Sequence, residues 1–291
     1  MSRIPFEQLP ADVRQAVADK TGFLRQAVTA PGGMNSGLGC VLDTDSGPVF
    51  VKGIRADHPQ VGAQRREAAV AAHLPASCPH LYWHLELDGW SLLGYEVIDG
   101  RHADYAPGSP DLPLVEAALA ELQGITAPAD VEIKQAVDRW AQYAPPGTVQ
   151  HFDGDALLHT DFAPDNVLIA GGRARLVDWA WPTRGAAWID PGALALRLME
   201  AGHPAEAAIE FATRFPSWRS AAPEALAAFG TATATLWREI AEQDARPWKR
   251  AMAQHATTLA RRLARDGAPA ASSGRGTVNS QVSASSRDLT P

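Results

Sequence analysis

Apolar and polar positions change period several times along this chain. Phe6, Leu9, Val13 and Val17 recur at spacings near 3.6 and predict a short amphipathic helix over residues 6–20. From Pro31 the pattern breaks into Pro-Gly-Gly-Met-Asn-Ser-Gly-Leu-Gly. A strand over Leu38 to Leu42, the turn Asp43-Thr-Asp-Ser-Gly47 and a second strand over Val49 to Lys52 follow, so a hairpin carries a glycine-rich loop. A helix is predicted from Gln64 to Leu74. Two apolar runs then flank the turn Asp88-Gly89, Leu81 to Leu87 and Trp90 to Ile98, and suit buried strands.

Beyond Asp99-Gly100 the periodicity becomes helical. Leu112 to Ile125 and Val131 to Tyr143 are candidate helices, and a loop-rich segment from Asp155 to Asp190 interrupts the series. Pro191 to Ala201, Ala205 to Phe215, Pro223 to Asp244 and Trp248 to Asp266 continue it. From Gly267 the chain is Ser, Gly and Ala with little to bury, and is expected to be disordered. The reading is α+β: a strand-rich lobe over residues 1–98, a mainly helical lobe over 99–266 and a tail over 267–291.

Composition narrows the partners. A chain of 291 residues with 46% apolar content has the length for two lobes of ordinary size. No apolar run approaches the roughly 20 residues needed to span a bilayer, and Arg3, Glu7, Asp12 and Arg14 occupy the place of a signal-peptide core, so a cytoplasmic protein without a membrane partner is expected. Cys40 and Cys78 have no metal-like spacing and are expected to stay reduced. The net charge of -7 disfavours nucleic acid, which needs a basic surface to displace counterions.

The densest chemistry lies in Leu157-Leu158-His159-Thr160-Asp161-Phe162-Ala163-Pro164-Asp165-Asn166-Val167-Leu168-Ile169, followed by Leu176-Val177-Asp178-Trp179. An Asp and an Asn five apart sit between apolar strands, and another Asp ends the next strand. Phosphoryl transfer needs a carboxylate beside the attacking hydroxyl and oxygen ligands for magnesium, and one such loop can supply both. Taken alone, the Asp161 and Asn166 pair is equally compatible with turn chemistry. The whole set, in order and in compatible elements, is far more specific.

His-x-Asp-x-x-x-x-Asn followed by a strand-end Asp resembles the protein-kinase-like fold, and the aminoglycoside phosphotransferase family in particular. Pro-Asp-Asn-Val-Leu-Ile, Val-Asp-Trp in place of Asp-Phe-Gly, and Trp188-Ile-Asp-Pro-Gly-Ala-Leu carry that resemblance, which covers approximately residues 20–265. It implies a two-lobed fold that binds ATP and Mg2+, with Asp161 as catalytic base, Asn166 and Asp178 as metal ligands, and His159 bracing the loop. Asp190 resembles the family's second structural acid. The family usually has Gly where this chain has Thr160, which alters loop geometry or shapes a pocket without removing a catalytic atom.

The N-terminal half supplies matching parts. Lys52 and Phe50 face one side of their strand and Val49 and Val51 the other, which suits an ammonium reaching the nucleotide phosphates. Glu67 is placed to pair with Lys52, while Arg65 and Arg66 are expected in solvent. Gly33, Ser36 and Gly37 belong to the loop over the phosphates, and Tyr95 to Gly100 resembles the hinge, with backbone groups of Glu96 and Ile98 toward the adenine.

The resemblance implies a small-molecule hydroxyl acceptor, cationic or nucleoside-like, with antibiotic modification as the leading function. Choline, homoserine or sugar kinases and a pseudokinase are the alternatives. Glu200, Glu206, Glu210, Glu239, Glu242 and Asp244 either line a cationic pocket or solubilise helix faces. Trp218, Trp237 and Trp248 read as core.

Overall fold

The computed structural model of the chain describes residues 3–30 and 36–266. In chain order its elements are α1 (Ala11–Thr21), β1 (Leu24–Thr29), β2 (Leu38–Thr44), β3 (Val49–Arg55), α2 (Val61–Val70), β4 (Leu81–Leu87), β5 (Trp90–Glu96) and β6 (Arg101–His102). Then come α3 (Leu112–Leu122), β7 (Lys134–Gln135), α4 (Ala136–Trp140), β8 (Ala156–Leu158), β9 (Val167–Ala170), β10 (Arg173–Leu176) and β11 (Thr183–Gly185). Five helices close the series: α5 (Ile189–Glu200), α6 (Ala205–Ala212), α7 (Pro216–Ser220), α8 (Pro223–Gln243) and α9 (Pro247–Asp266).

The architecture is the expected α+β, two-lobed one. An antiparallel sheet of order β1-β2-β3-β5-β4 forms the small lobe. Strand alternation divides its side chains between two faces. Val51, Leu92, Leu38, Cys40 and Leu42 join Phe6, Leu9, Val13 and Val17 in one core cluster. Burying each of the larger of these side chains is worth roughly 1.5–3 kcal/mol. On the opposite face, the Gln64 amide of α2 donates to the Ser91 carbonyl at 2.6 Å, and Lys52 meets Glu67.

The large lobe has its own core, running from Val115, Leu119 and Leu122 through Phe152, Leu157 and Leu176 to Phe229, Met252 and Leu259. Two small sheets in it hold the segment from His159 to Asn166. One has the order β10-β9-β6, and in the other β11 pairs parallel to β7 and antiparallel to β8. No helix among the described residues is long and apolar enough to cross a membrane.

Several boundaries move. The first helix breaks at Pro10 into a 3-10 turn, Phe6–Gln8, and α1, because proline lacks the N–H to continue a helix. Strand β1, an edge strand, was not anticipated. The helix predicted over Val131 to Tyr143 is instead the short strand β7 followed by the single turn of α4. The expectation for residues 267–291 lies outside the described residues.

Candidate active site

The site forms where β3 and α2 of the small lobe meet the loop after β8 and the end of β10. Lys52 projects from β3, and its Nζ lies 2.8 Å from Glu67 Oε2 and 2.6 Å from Asp178 Oδ1, a residue 126 positions away. The Lys52 side chain is 15% exposed and that of Glu67 4%, whereas Asp178 is 43% exposed. Burial opposes the Lys52 charge, but Glu67 and Asp178 outweigh it and hold its pKa above the ordinary value. Lys52 in turn holds Asp178 below the usual carboxylate range. Burial pushes Glu67 upward, with Lys52 and the Tyr95 hydroxyl, 3.0 Å away, pulling it back.

The segment after β8 is tied to a buried carboxylate. Asp190, at the start of α5, accepts the backbone N–H groups of His159 and Thr160 at 2.9 Å each. His159 is buried; its Nε2 donates to the Val177 carbonyl at 3.0 Å and its Nδ1 accepts the Asp161 N–H at 3.3 Å. Its ring lies edge-on to Trp179, with centroids 4.7 Å apart. Burial lowers the His159 pKa, so the ring is neutral where it links the two motifs. Thr160 takes φ 68°, the left-handed region that a β-branched residue rarely adopts. Its hydroxyl accepts from Arg139 Nη1 at 2.8 Å.

Asp161 itself is half-exposed, and its Oδ1 accepts from Arg197 Nη2 at 3.0 Å and from the Ala163 N–H at 3.3 Å. Its other carboxylate oxygen has no such partner among the described residues. Asn166 Nδ2 donates to the Asp161 carbonyl at 3.2 Å, which leaves the amide oxygen as its outward donor to a ligand. Two oxygen donors, Asn166 and Asp178, therefore fit a magnesium ion that takes its other ligands from phosphates and water.

Lys52, Glu67, His159, Asp161, Asn166 and Asp178 are thus brought into one hydrogen-bonded neighbourhood. At the expected hinge, the Glu96 carboxylate is engaged with Arg175 Nη2 at 2.7 Å and its N–H with the His80 carbonyl at 2.8 Å. Ile98 lies in the extended segment after β5. Of the glycine-rich loop, Ser36 is buried and the Gly37 carbonyl accepts the Ile4 N–H at 2.9 Å; Gly33 lies outside the described residues.

Three arginines escaped the sequence reading. Arg197 pairs with Asp161 and with Glu200 at 2.9 Å, and Arg139 braces Thr160. Arg66, expected in solvent, has a buried Nε. A signal existed for Arg197 alone: a charge inside the apolar run Ala-Leu-Ala-Leu-Arg-Leu-Met asks for a partner. Among the C-terminal acids, Asp244 pairs with Lys249 at 2.7 Å and Glu200 with Arg197 at 2.9 Å. Trp218 is core, but Trp248 is 40% exposed, edge-on to Trp237, and departs from expectation.

No protein-family model matches the sequence, and no curated protein sequence matches it. Solved structures do match in fold. A thermostable mutant of aminoglycoside phosphotransferase APH(4)-Ia, in a ternary complex with ADP and hygromycin B, superposes with a TM-score of 0.57 at 15% identity, over 89% of this chain and 100% of that one. Choline kinase LicA from Streptococcus pneumoniae gives a TM-score of 0.58 at 13% identity, over 87% and 98%. The chain has the two-lobed fold that these kinases of small molecules share, in line with the resemblance carried by its motifs.

Proposed function

We propose that this chain is a cytoplasmic ATP- and Mg2+-dependent phosphotransferase that moves the γ-phosphoryl group to a hydroxyl of a small molecule. The observation that carries this reading is the convergence of Lys52, paired to Glu67, with Asp178, Asn166 and Asp161 across the two lobes. Residues 1–98 and 99–266 are assigned as the nucleotide-binding and catalytic lobes. Solved relatives of the fold hold ADP with hygromycin B, or AMP, which supports a nucleotide and a small acceptor as the two ligands.

In the reaction assigned here, the hydroxyl oxygen forms a bond to the γ-phosphorus as the bond to the bridging oxygen breaks, ADP leaves, and the hydroxyl proton passes to Asp161. Arg197 fixes one oxygen of Asp161, so the free one faces the acceptor. Lys52 neutralises phosphate charge from a position already set by Glu67, which costs little reorganisation. The backbone of Glu96 and Ile98 meets the adenine, and Gly33, Ser36 and Gly37 cover the phosphates. A magnesium ion held by Asn166 and Asp178 would supply charge neutralisation at the phosphates.

An antibiotic of aminoglycoside or nucleoside type is the leading acceptor and choline, homoserine or a sugar the alternative; both kinds of enzyme share the fold. Acceptor-dependent ADP release is the test, with aminoglycosides, nucleoside antibiotics, choline and simple sugars as the panel. Asp161→Ala is expected to lose turnover with Mg-nucleotide affinity nearly unchanged, and Asp178→Ala to weaken that affinity. Full turnover by Asp161→Ala, measured against wild type, would remove the assignment.

A further inference from the structure

The sheet face that carries Lys52 holds a second cation. Gly39 of β2 is the direct cross-strand partner of Lys52 in β3, so a group lying over Gly39 is on the Lys52 side of the sheet, one strand or about 5 Å away. That group is a guanidinium. A Cβ placed on Gly39 would stand 2.6 Å from Arg3 Cζ and 2.9 Å from its Nε and Nη2, so the missing side chain is what makes room for it. Arg3 belongs to the segment ahead of α1, which is fastened to the end of the glycine-rich loop where the Ile4 N–H donates to the Gly37 carbonyl at 2.9 Å.

This guanidinium is lightly held. Its Nη1 donates to the Ala30 carbonyl at 2.6 Å, but its Nε is buried with no hydrogen-bond partner, and no ion pair among the described residues includes it. Lys52, by contrast, has the carboxylates of Glu67 and Asp178. Burial lowers the Arg3 pKa, and Cys40 and Asp178 act in the opposite direction, so the Asp178 charge reaches Arg3 as well. A part-buried charge with an unanswered donor costs stability, which an oxyanion with several acceptor oxygens offsets. One carbonyl is a weak tether for a plug that keeps ligands out, whereas it is enough to hold a donor group in place for an incoming anion.

Resting on the reading of this cleft as the nucleotide site, we infer that Arg3 binds the nucleotide phosphates, which makes the segment ahead of α1 part of that site. Its forked donors engage pairs of phosphate oxygens, which the ammonium of Lys52 meets only as a point charge. The position selects phosphate over base. Glu96, at the hinge end of β5, pairs with Val49, whereas Lys52 and Gly39 share the row of Leu93, three strand positions or roughly 10 Å farther along the sheet. Arg3 therefore favours nucleoside diphosphates and triphosphates over the nucleoside.

The test measures binding and needs no acceptor. Full-length wild type, Arg3→Gln and Arg3→Lys are titrated calorimetrically with Mg-AMP-PNP, Mg-ADP and adenosine. Arg3→Gln is expected to weaken both nucleotides by about 10- to 100-fold, as the loss of a charge-assisted contact does, and to leave adenosine unchanged, which also shows that the small lobe is still folded. Arg3→Lys keeps the charge without the fork and is expected to recover part of the loss. If wild type binds none of the three, the nucleotide reading falls and the inference with it. If wild type binds them and Arg3→Gln binds as tightly, or loses adenosine as much as AMP-PNP, the inference alone falls. Tighter nucleotide binding by Arg3→Gln would overturn it in favour of a plug that the nucleotide must displace.

Discussion

At the scale of single residues, Thr160 sets backbone strain against one hydrogen bond. A non-glycine residue in the left-handed region costs about 1–2 kcal/mol, and the bond its hydroxyl accepts from the Arg139 guanidinium is worth about 1.5–3 kcal/mol because the donor is charged. Thr160→Gly removes both terms and is expected to change stability by less than about 1 kcal/mol. Thr160→Val keeps the strain, loses the bond and leaves Arg139 short of an acceptor, so it is expected to cost about 2–3 kcal/mol in urea denaturation. Wild-type stability in Thr160→Val would show that the hydroxyl contributes nothing, and equal effects of the two substitutions that the left-handed backbone carries no strain.

Asp190 carries a pH signature of its own. Burial pushes its carboxyl up to about 7, against the pull of two backbone N–H groups and Arg139. Between about pH 4, where an unfolded Asp titrates, and about pH 7, the native chain keeps a proton that the unfolded chain has lost, so this group's contribution to stability falls as pH rises. His159, whose pKa burial lowers, acts in the other direction: below about pH 6.5 the unfolded chain gains a proton that the native ring refuses. The two slopes oppose each other in the native protein. Asp190→Asn deletes the falling one, so the stability of wild type relative to the variant should decline with rising pH, by at most about 1.4 kcal/mol per unit. A difference that stays constant from pH 5 to 7 would mean that Asp190 remains ionised throughout.

At the scale of elements, what the sequence revealed follows from the range of each signal. The strands β2 to β5 and the helices α3, α5, α6, α8 and α9 were legible because alternation or a 3.6-residue period is local. Strand β1 was not, since Leu-Arg-Gln-Ala-Val-Thr lies at the sheet edge with an intermediate-exposed-exposed repeat rather than a clean alternation. The segment before α4 misled because its buried Ile133, Ala136 and Trp140 fall at spacings that imitate a helix. Its backbone is recruited by β11 through a parallel pairing that no local pattern announces. Within the site, the motif residues were readable from their spacing. Arg139 and Arg197 were not, because they come from elements 21 and 36 positions away from the side chains they hold.

The pairing of α8 with α9 offers a test at this scale. A Cβ at Gly230 would lie 2.8 Å from the Ala260 Cα, a backbone atom that cannot rotate away. Gly230→Val gains only a few tenths of a kcal/mol of helix propensity, against about 1–3 kcal/mol for overpacking a helix contact. The expected result is a net loss of about 1–3 kcal/mol by thermal or urea unfolding with α-helical circular dichroism retained. A stabilised variant would mean that the two helices separate freely.

At the scale of the molecule, one tie between the lobes lies behind the expected hinge and can be cut without touching Lys52 or Asp161. Arg175 of β10 donates to Glu96 at 2.7 and 3.3 Å and to the Cys78 carbonyl at 3.0 Å, and the Leu176 N–H beside it bonds the Ser77 carbonyl at 2.8 Å. Arg175 lowers the Glu96 pKa, so the pair is ionised at neutral pH. The Glu96 side chain is 34% exposed, and solvent screening reduces the pair to about 1–2 kcal/mol. Arg175→Met should therefore lower Tm by about 3–6 °C. Its local effect should be larger than its global one: with Glu96 left to the His80 N–H alone, hydrogen exchange at residues 96–100 should quicken, while the segment around Asp161, anchored separately by Asp190, keeps its protection. If Glu96 and Ile98 hold the adenine, Mg-ATP affinity falls with that protection and turnover at saturating nucleotide does not. Loss of protection around both segments together would instead mean that the hinge and the catalytic loop open as one unit.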